Sequence, residues 1–151
     1  MLVLFILLMT AAGWLLLSNL SKGGGGAVSS GNIPPAPSQE IADVAQAISV
    51  AEDSDPAWNN PGSLTAPLGF PTVGVANSEG VLKFATTADG WNALYKQLSS
   101  IVQGTSRYNL GMTLADFGMT YSGGDPNWAV NVANALGGGI TPSNTLGDIL
   151  T

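Results

Sequence analysis

The chain has 151 residues with ten acidic and four basic side chains, a net charge of −6, no histidine and no cysteine. That inventory excludes zinc sites built on His and Cys, thiol nucleophiles and Ser-His-Asp triads, and the acidic balance argues against nucleic acid as a partner. Carboxylates, tyrosines, hydroxyls and a few basic residues are left for chemistry, a set that suits glycosidic general-acid work better than peptide hydrolysis and implies no cofactor and no metal.

Residues 1–22 come first and differ from everything behind them. From Leu2 to Leu17 the chain reads LVLFILLMTAAGWLLL without a charge, and the apolar stretch extends to Lys22. A bilayer-spanning helix needs roughly 17–25 such residues, so the segment is expected to be a transmembrane anchor, with Trp14 and Lys22 at an interface. The alternative is a cleaved signal peptide, which lacks support here from a basic leading region or a small-residue cleavage site. Lys22 taken alone favours retention of the following side in the cytoplasm, but long segments poor in Lys and Arg translocate largely regardless of charge. Residues 23–37 run from four glycines, Gly23 to Gly26, to Pro34, Pro35 and Pro37. Such a segment is a tether, with a coil reach of roughly 20 Å for about 16 residues and roughly 50 Å at full extension.

Residues 38–151 then read as one domain. Ile41, Val44, Ala45 and Ile48 recur at helical spacing after Ser38, and the helix is expected to stop near Asp53. Pro56 and Asn59-Asn60-Pro61-Gly62 impose a loop. TVGVANSEGVLKF, from Thr72 to Phe84, predicts a small hairpin turning at Asn77 to Gly80. A second helix starts at Thr87, buries Trp91, Leu94, Tyr95, Leu98 and Ile101, and ends at Gly104. Thr113 and Asp116 are spaced as a capping box for a shorter helix. Asp125-Pro126 is read as the cap and first position of a helix covering Trp128 to Leu136, closed by Gly137 to Gly139, and Thr141-Pro142 as the same signal for a last helix through Ile149.

Glu52 is the strongest candidate for chemistry. At the end of a helix, before a polar loop, its carboxyl can face a cleft while the apolar face holds it against the core, and partial burial would keep it protonated. The plain alternative is a solvated carboxylate at a helix end. The stretch AISVAEDSDPAWNNPGSL resembles the acid-bearing segment of a lysozyme-like, lytic-transglycosylase-like family of phages and bacteria, in which a helix ending in Glu precedes an Asn-Asn-Pro-Gly loop. GVLKFATTADGWNALYKQLSSI is similar to that family's hairpin strand and following helix, TLADFGMTYSGGDPNWAVNVANALG to its closing helical segment, and TPSNTLGDIL to its terminal helix, so the resemblance covers residues 41–150.

The resemblance implies a mostly helical α+β, lysozyme-like domain with Glu52 as catalytic acid and Asn59 and Asn60 on a glycan-facing loop. Read from residue chemistry alone, those two asparagines serve equally well as acetamido ligands or as backbone caps. Trp58 and Tyr121, beside loops, are the aromatic candidates for stacking on sugars, with Trp128 behind them, whereas Trp91 and Tyr95 belong to the core. Asp53, Ser54 and Asp55 stand where the family has a glycine and aromatic residues, which places extra negative charge beside the acid. A second carboxylate is open among Asp53, Asp55 and Asp89, and a lytic transglycosylase needs none, because the glutamate that protonates the leaving oxygen then takes a proton from the sugar's own C6 hydroxyl.

The expected function is that of a peptidoglycan-cleaving enzyme, a lytic transglycosylase or muramidase, held to a membrane by residues 1–22 and acting outside the cytoplasm or in a virion. The alternative is a non-catalytic glycan-binding or structural module of a secretion system or virion on the same fold. A pilin-like subunit fits less well, because the Gly and Pro tether breaks the continuous helix that filament packing requires.

Overall fold

A computed structural model describes residues 33–151; the expected anchor and the glycine half of the tether lie outside the described residues. Among the described residues no helix is long and apolar enough to cross a membrane.

Helix α1 spans Gln39–Glu52, with the Ser38 hydroxyl accepting the Ile41 N–H at its start. It ends because Asp53 turns left-handed, at φ 43°, and returns its N–H to the Ser49 carbonyl. Ile41, Val44, Ala45 and Ile48 are buried in a single stripe, as the spacing predicts. Each large apolar side chain so buried contributes about 1.5–3 kcal/mol. The stripe begins earlier than expected, since Ala36 already packs against the core and the stiff end of the tether therefore lies on the domain.

A short 3₁₀ turn, Pro56–Trp58, follows, its first free N–H capped by the Asp55 carboxylate. Strands β1 (Thr72–Val75) and β2 (Leu82–Phe84) pair antiparallel, with Thr72 opposite Phe84 and Val75 opposite Leu82 and a bulge between Thr72 and Gly74. The turn between them is organised by Asn77, whose side-chain oxygen accepts the N–H groups of Glu79 and Val81. Helix α2 (Thr87–Val102) is the central element, burying Trp91, Leu94, Tyr95, Leu98 and Ile101. Helices α3 (Leu114–Tyr121), α4 (Trp128–Leu136) and α5 (Leu146–Leu150) complete a mostly helical α+β domain. Helix α1 packs on α4 and α2, and α3 packs on α4.

Three helix starts differ from the sequence reading. Thr113 caps α3 through the Asp116 N–H, but the Asp116 carboxylate takes the Thr113 hydroxyl, so the reciprocal backbone bond of a capping box is not made. Asn127 is the residue before α4; Asp125 instead accepts the Asn127 N–H in a turn, and Pro126 lies in that turn and not in the helix. Thr141-Pro142 likewise opens a turn closed by Asn144, and α5 begins at Leu146 under a capping box of Thr145 and Asp148. In both cases a proline that fits a first helical position fits a turn equally well; Thr145 then caps α5, whereas Asn127 precedes α4 without a side-chain capping bond.

Candidate active site

The site is built from the last residue of α1. Glu52 lies one helical turn beyond the fully buried Ile48, so the core-facing stripe carries its side chain inward as the helix stops. The carboxyl ends half-buried against aromatic rings. The indole Nε1–H of Trp128, itself only 2% exposed, donates to Glu52 Oε1 at 2.7 Å. Trp128 is seated by α3, because Gly118 has no side chain; a Cβ there would meet the indole at 2.8 Å. Its ring packs against Phe117 and Tyr121 at centroid separations of 5.5 and 5.2 Å, and the Tyr121 hydroxyl donates to the Gly62 carbonyl at 2.7 Å. Burial holds that hydroxyl well above the usual tyrosine range, and the neighbouring charge of Glu52 adds to it, so Tyr121 stays a neutral donor.

Burial pushes the Glu52 carboxyl above its ordinary value of 4.5. Hydrogen bonds from Ser63 and Trp128 oppose the shift, the charge of Asp125 assists it, and burial prevails. The helix adds no relief, since a carboxylate at a carboxyl terminus meets the negative end of the dipole and the last turn of α1 has no basic residue. The Trp128 indole N–H and the Ser63 hydroxyl are thus the hydrogen-bonding partners that face the Glu52 carboxyl.

Glu52 opens onto a cleft of about 610 Å³. One side is the segment after α1, with Asp53, Ser54, Asp55 and Trp58; the other is the hairpin turn, with Asn77, Glu79 and Val81; Ser63, Thr65, Tyr121 and Ser122 line the rest. Ser54 and Ser63 hydroxyls meet at 2.6 Å across the loop, and Ser63 holds the left-handed conformation at φ 48°.

The residues singled out in the sequence divide sharply. Glu52, Trp58 and Tyr121 come together at the cleft, although Tyr121 spends its hydroxyl on the backbone and presents its ring. Asn59 and Asn60 do not face it. Asn60 is 2% exposed and uses every polar atom of its side chain, donating to the Leu64 and Leu82 carbonyls and accepting the Leu64 N–H. Asn59 bridges the Phe84 carbonyl and the Thr87 hydroxyl. Of the two readings of this pair, backbone capping is the one the contacts support. Asp89 is also removed from the site, because its carboxylate closes the capping box of α2 on Thr86. Asp53 and Asp55 line the cleft, and Glu79, read in the sequence only as a turn residue, lines it from the hairpin. Trp128 is a partner of the acid and not a stacking surface. No local signal in the sequence marks this role, because its partner is 76 residues away.

Chemically the arrangement offers one candidate proton donor in a polar cleft lined by further carboxylates and by the aromatic side chain of Trp58. The chain matches no protein-family model, no curated protein and no solved structure.

Proposed function

We propose that residues 38–151 form a lysozyme-like domain that cleaves the glycan strands of peptidoglycan, with Glu52 as general acid. Residues 1–22 hold it at a membrane, and it works outside the cytoplasm or in a virion, at the end of the tether of residues 23–37. The observation that carries the reading is the Glu52 carboxyl itself, half-buried on an open cleft and raised above its ordinary range by that burial.

In the proposed reaction the Glu52 carboxyl gives its proton to the glycosidic oxygen as the C1–O bond breaks. The resulting carboxylate is held by the Trp128 indole, and it recovers a proton from the sugar's C6 hydroxyl as O6 bonds to C1. No second carboxylate is required on this route. Hydrolysis would instead need one to activate water, and Glu79, Asp53 and Asp55 border the same cleft.

Purified peptidoglycan incubated with the full chain in detergent, followed by mass spectrometry of soluble products, tests the reading. Anhydro-ended fragments identify the transglycosylase and reducing ends the muramidase. Glu52→Gln should lower the rate by roughly a hundredfold to ten-thousandfold, the usual range for a general acid, with glycan binding retained. Retention of more than about a tenth of the rate, about 1.4 kcal/mol or less of transition-state stabilisation, would show that Glu52 is not the acid. Binding without any cleavage by the wild type would replace the enzyme by a glycan-binding module.

A further inference from the structure

The domain after residue 37 has three basic residues, Lys83, Lys96 and Arg107, against ten acidic ones in the whole chain. Two of the three border one cavity. It has a volume of about 570 Å³ and lies beside the Glu52 cleft, sharing Ser63, Thr65 and Tyr121 with it. The groove thus has two arms that meet at the same three side chains. The Glu52 arm carries Glu52, Asp53, Asp55 and Glu79, and the other carries Lys96 and Arg107.

Both cations are exposed but held in place by neutral groups. Lys96 Nζ donates to the Leu68 carbonyl at 2.9 Å and lies 5.9 Å from the centre of the Phe70 ring. Arg107 Nη2 donates to the Tyr108 hydroxyl at 2.6 Å, with the guanidinium 4.8 Å from the Tyr108 ring centre. These contacts use one of three N–H donors on Lys96 and one of five on Arg107 and neutralise neither charge. An anionic group entering the groove is repelled at the Glu52 arm and attracted at this one, and a guanidinium fork suits a carboxylate in particular.

We infer that the Lys96–Arg107 arm is a subsite for a carboxylate on the glycan substrate, fixing which way a strand lies across Glu52. The inference rests on the reading of the cleft as a glycan groove. Carboxylates of peptidoglycan have two sources: the stem peptide where one is attached, and the lactyl group of the muramic sugar where the peptide, which otherwise takes that carboxyl into an amide, is absent. Chitin oligosaccharides have the same backbone linkage and acetamido groups and no carboxylate.

The test measures binding of the full chain in detergent, in a Glu52→Gln background so that ligand is not consumed. The ligands are three soluble glycans of equal length: strands with stem peptides, strands stripped of peptide but keeping the lactyl carboxylate, and chitin oligosaccharide. Lys96→Gln with Arg107→Gln should weaken binding of carboxylate-bearing strands by about tenfold, the scale of two partly exposed charge contacts, and leave chitin binding unchanged. Added salt should erode the same preference. Lys96→Arg should keep it, which separates charge from packing. A preference for stripped strands over chitin assigns the lactyl group; a preference only for peptide-bearing strands assigns the stem peptide. Equal weakening for all three glycans, or none for any, overturns the subsite. If the charge preference is found but wild-type protein cleaves nothing, the enzyme reading fails and the subsite stands; if no glycan binds, both fail.

Discussion

Glu40 and Glu52 stand at opposite ends of α1, one in its first turn and one at its last residue, and their carboxyls are pushed in opposite directions. Glu40 is exposed, and its own backbone N–H together with the Ser38 hydroxyl holds it below 4.5. Glu52 is half-buried, and desolvation holds it above that value despite two hydrogen bonds. A helix start supplies free N–H groups and the positive end of the dipole, so a glutamate there becomes a better carboxylate. A helix end supplies neither, and when aromatic rings also displace water the glutamate becomes a better acid. The same residue type on the same helix is a stabilised first-turn carboxylate at one end and a candidate proton donor at the other.

The sharpest way to break that contrast is to neutralise each glutamate in turn. Glu52→Gln should cost roughly two to four orders of magnitude in glycan cleavage, and Glu40→Gln should leave the rate within about twofold of wild type. Equal losses would mean that the two ends of α1 do not differ in function. A smaller effect is expected from Trp128→Phe, which keeps the ring against Phe117 and removes the indole donor. The Glu52 carboxyl should then rise further, shifting the alkaline limb of the pH–rate profile upward, while the lost hydrogen bond to the carboxylate slows cleavage by roughly tenfold, about 1.4 kcal/mol. An unshifted limb would remove Trp128 from the electrostatics of the site.

The smallest effects lie in stability, with opposite signs. Glu40 has a lowered carboxyl, so its contribution is complete above 4.5 and is lost as pH falls through the lowered value. Glu52 has a raised one, so the fold is better off below 4.5 and loses that margin as pH rises through the raised value. Thermal midpoints should therefore rise for Glu52→Gln and fall slightly for Glu40→Gln at pH 7, with both differences shrinking in acid. A Glu52→Gln midpoint below wild type at pH 7 would contradict the burial argument.

Local signals in the sequence carried well where the decision was local. The start of α1 after Ser38, its buried stripe, the Thr72 to Phe84 hairpin and the apolar face of α2 were legible because each depends on neighbours within a few residues. Glu52 was legible for the same reason, as the residue where α1 has to stop. Its surroundings were not, since Trp128 and Asp125 reach it only through the packing of α3 and α4, Ser63 through the fold of the loop behind α1, and Glu79 borders its cleft from the hairpin. The Asn-Asn-Pro-Gly loop shows the opposite error. Its polar residues resembled a binding surface, yet the chain folds them inward: a Cβ on Gly90 would collide with the Asn59 carbonyl, and one on Gly62 would lie 2.7 Å from the Tyr121 hydroxyl. Residue type shows which hydrogen bonds are possible; only the fold shows whether backbone has already taken them.

Glu52 carries its proton to a higher pH than Glu40, at the other end of α1, because the cleft wall desolvates it. Carboxyl carbon NMR of the full chain in detergent, with Glu52 assigned by comparison with Glu52→Gln, measures this directly. The account predicts a titration midpoint for Glu52 above 4.5 and above that of Glu40, moving higher still in Trp128→Phe. A Glu52 midpoint at or below that of Glu40 would contradict it.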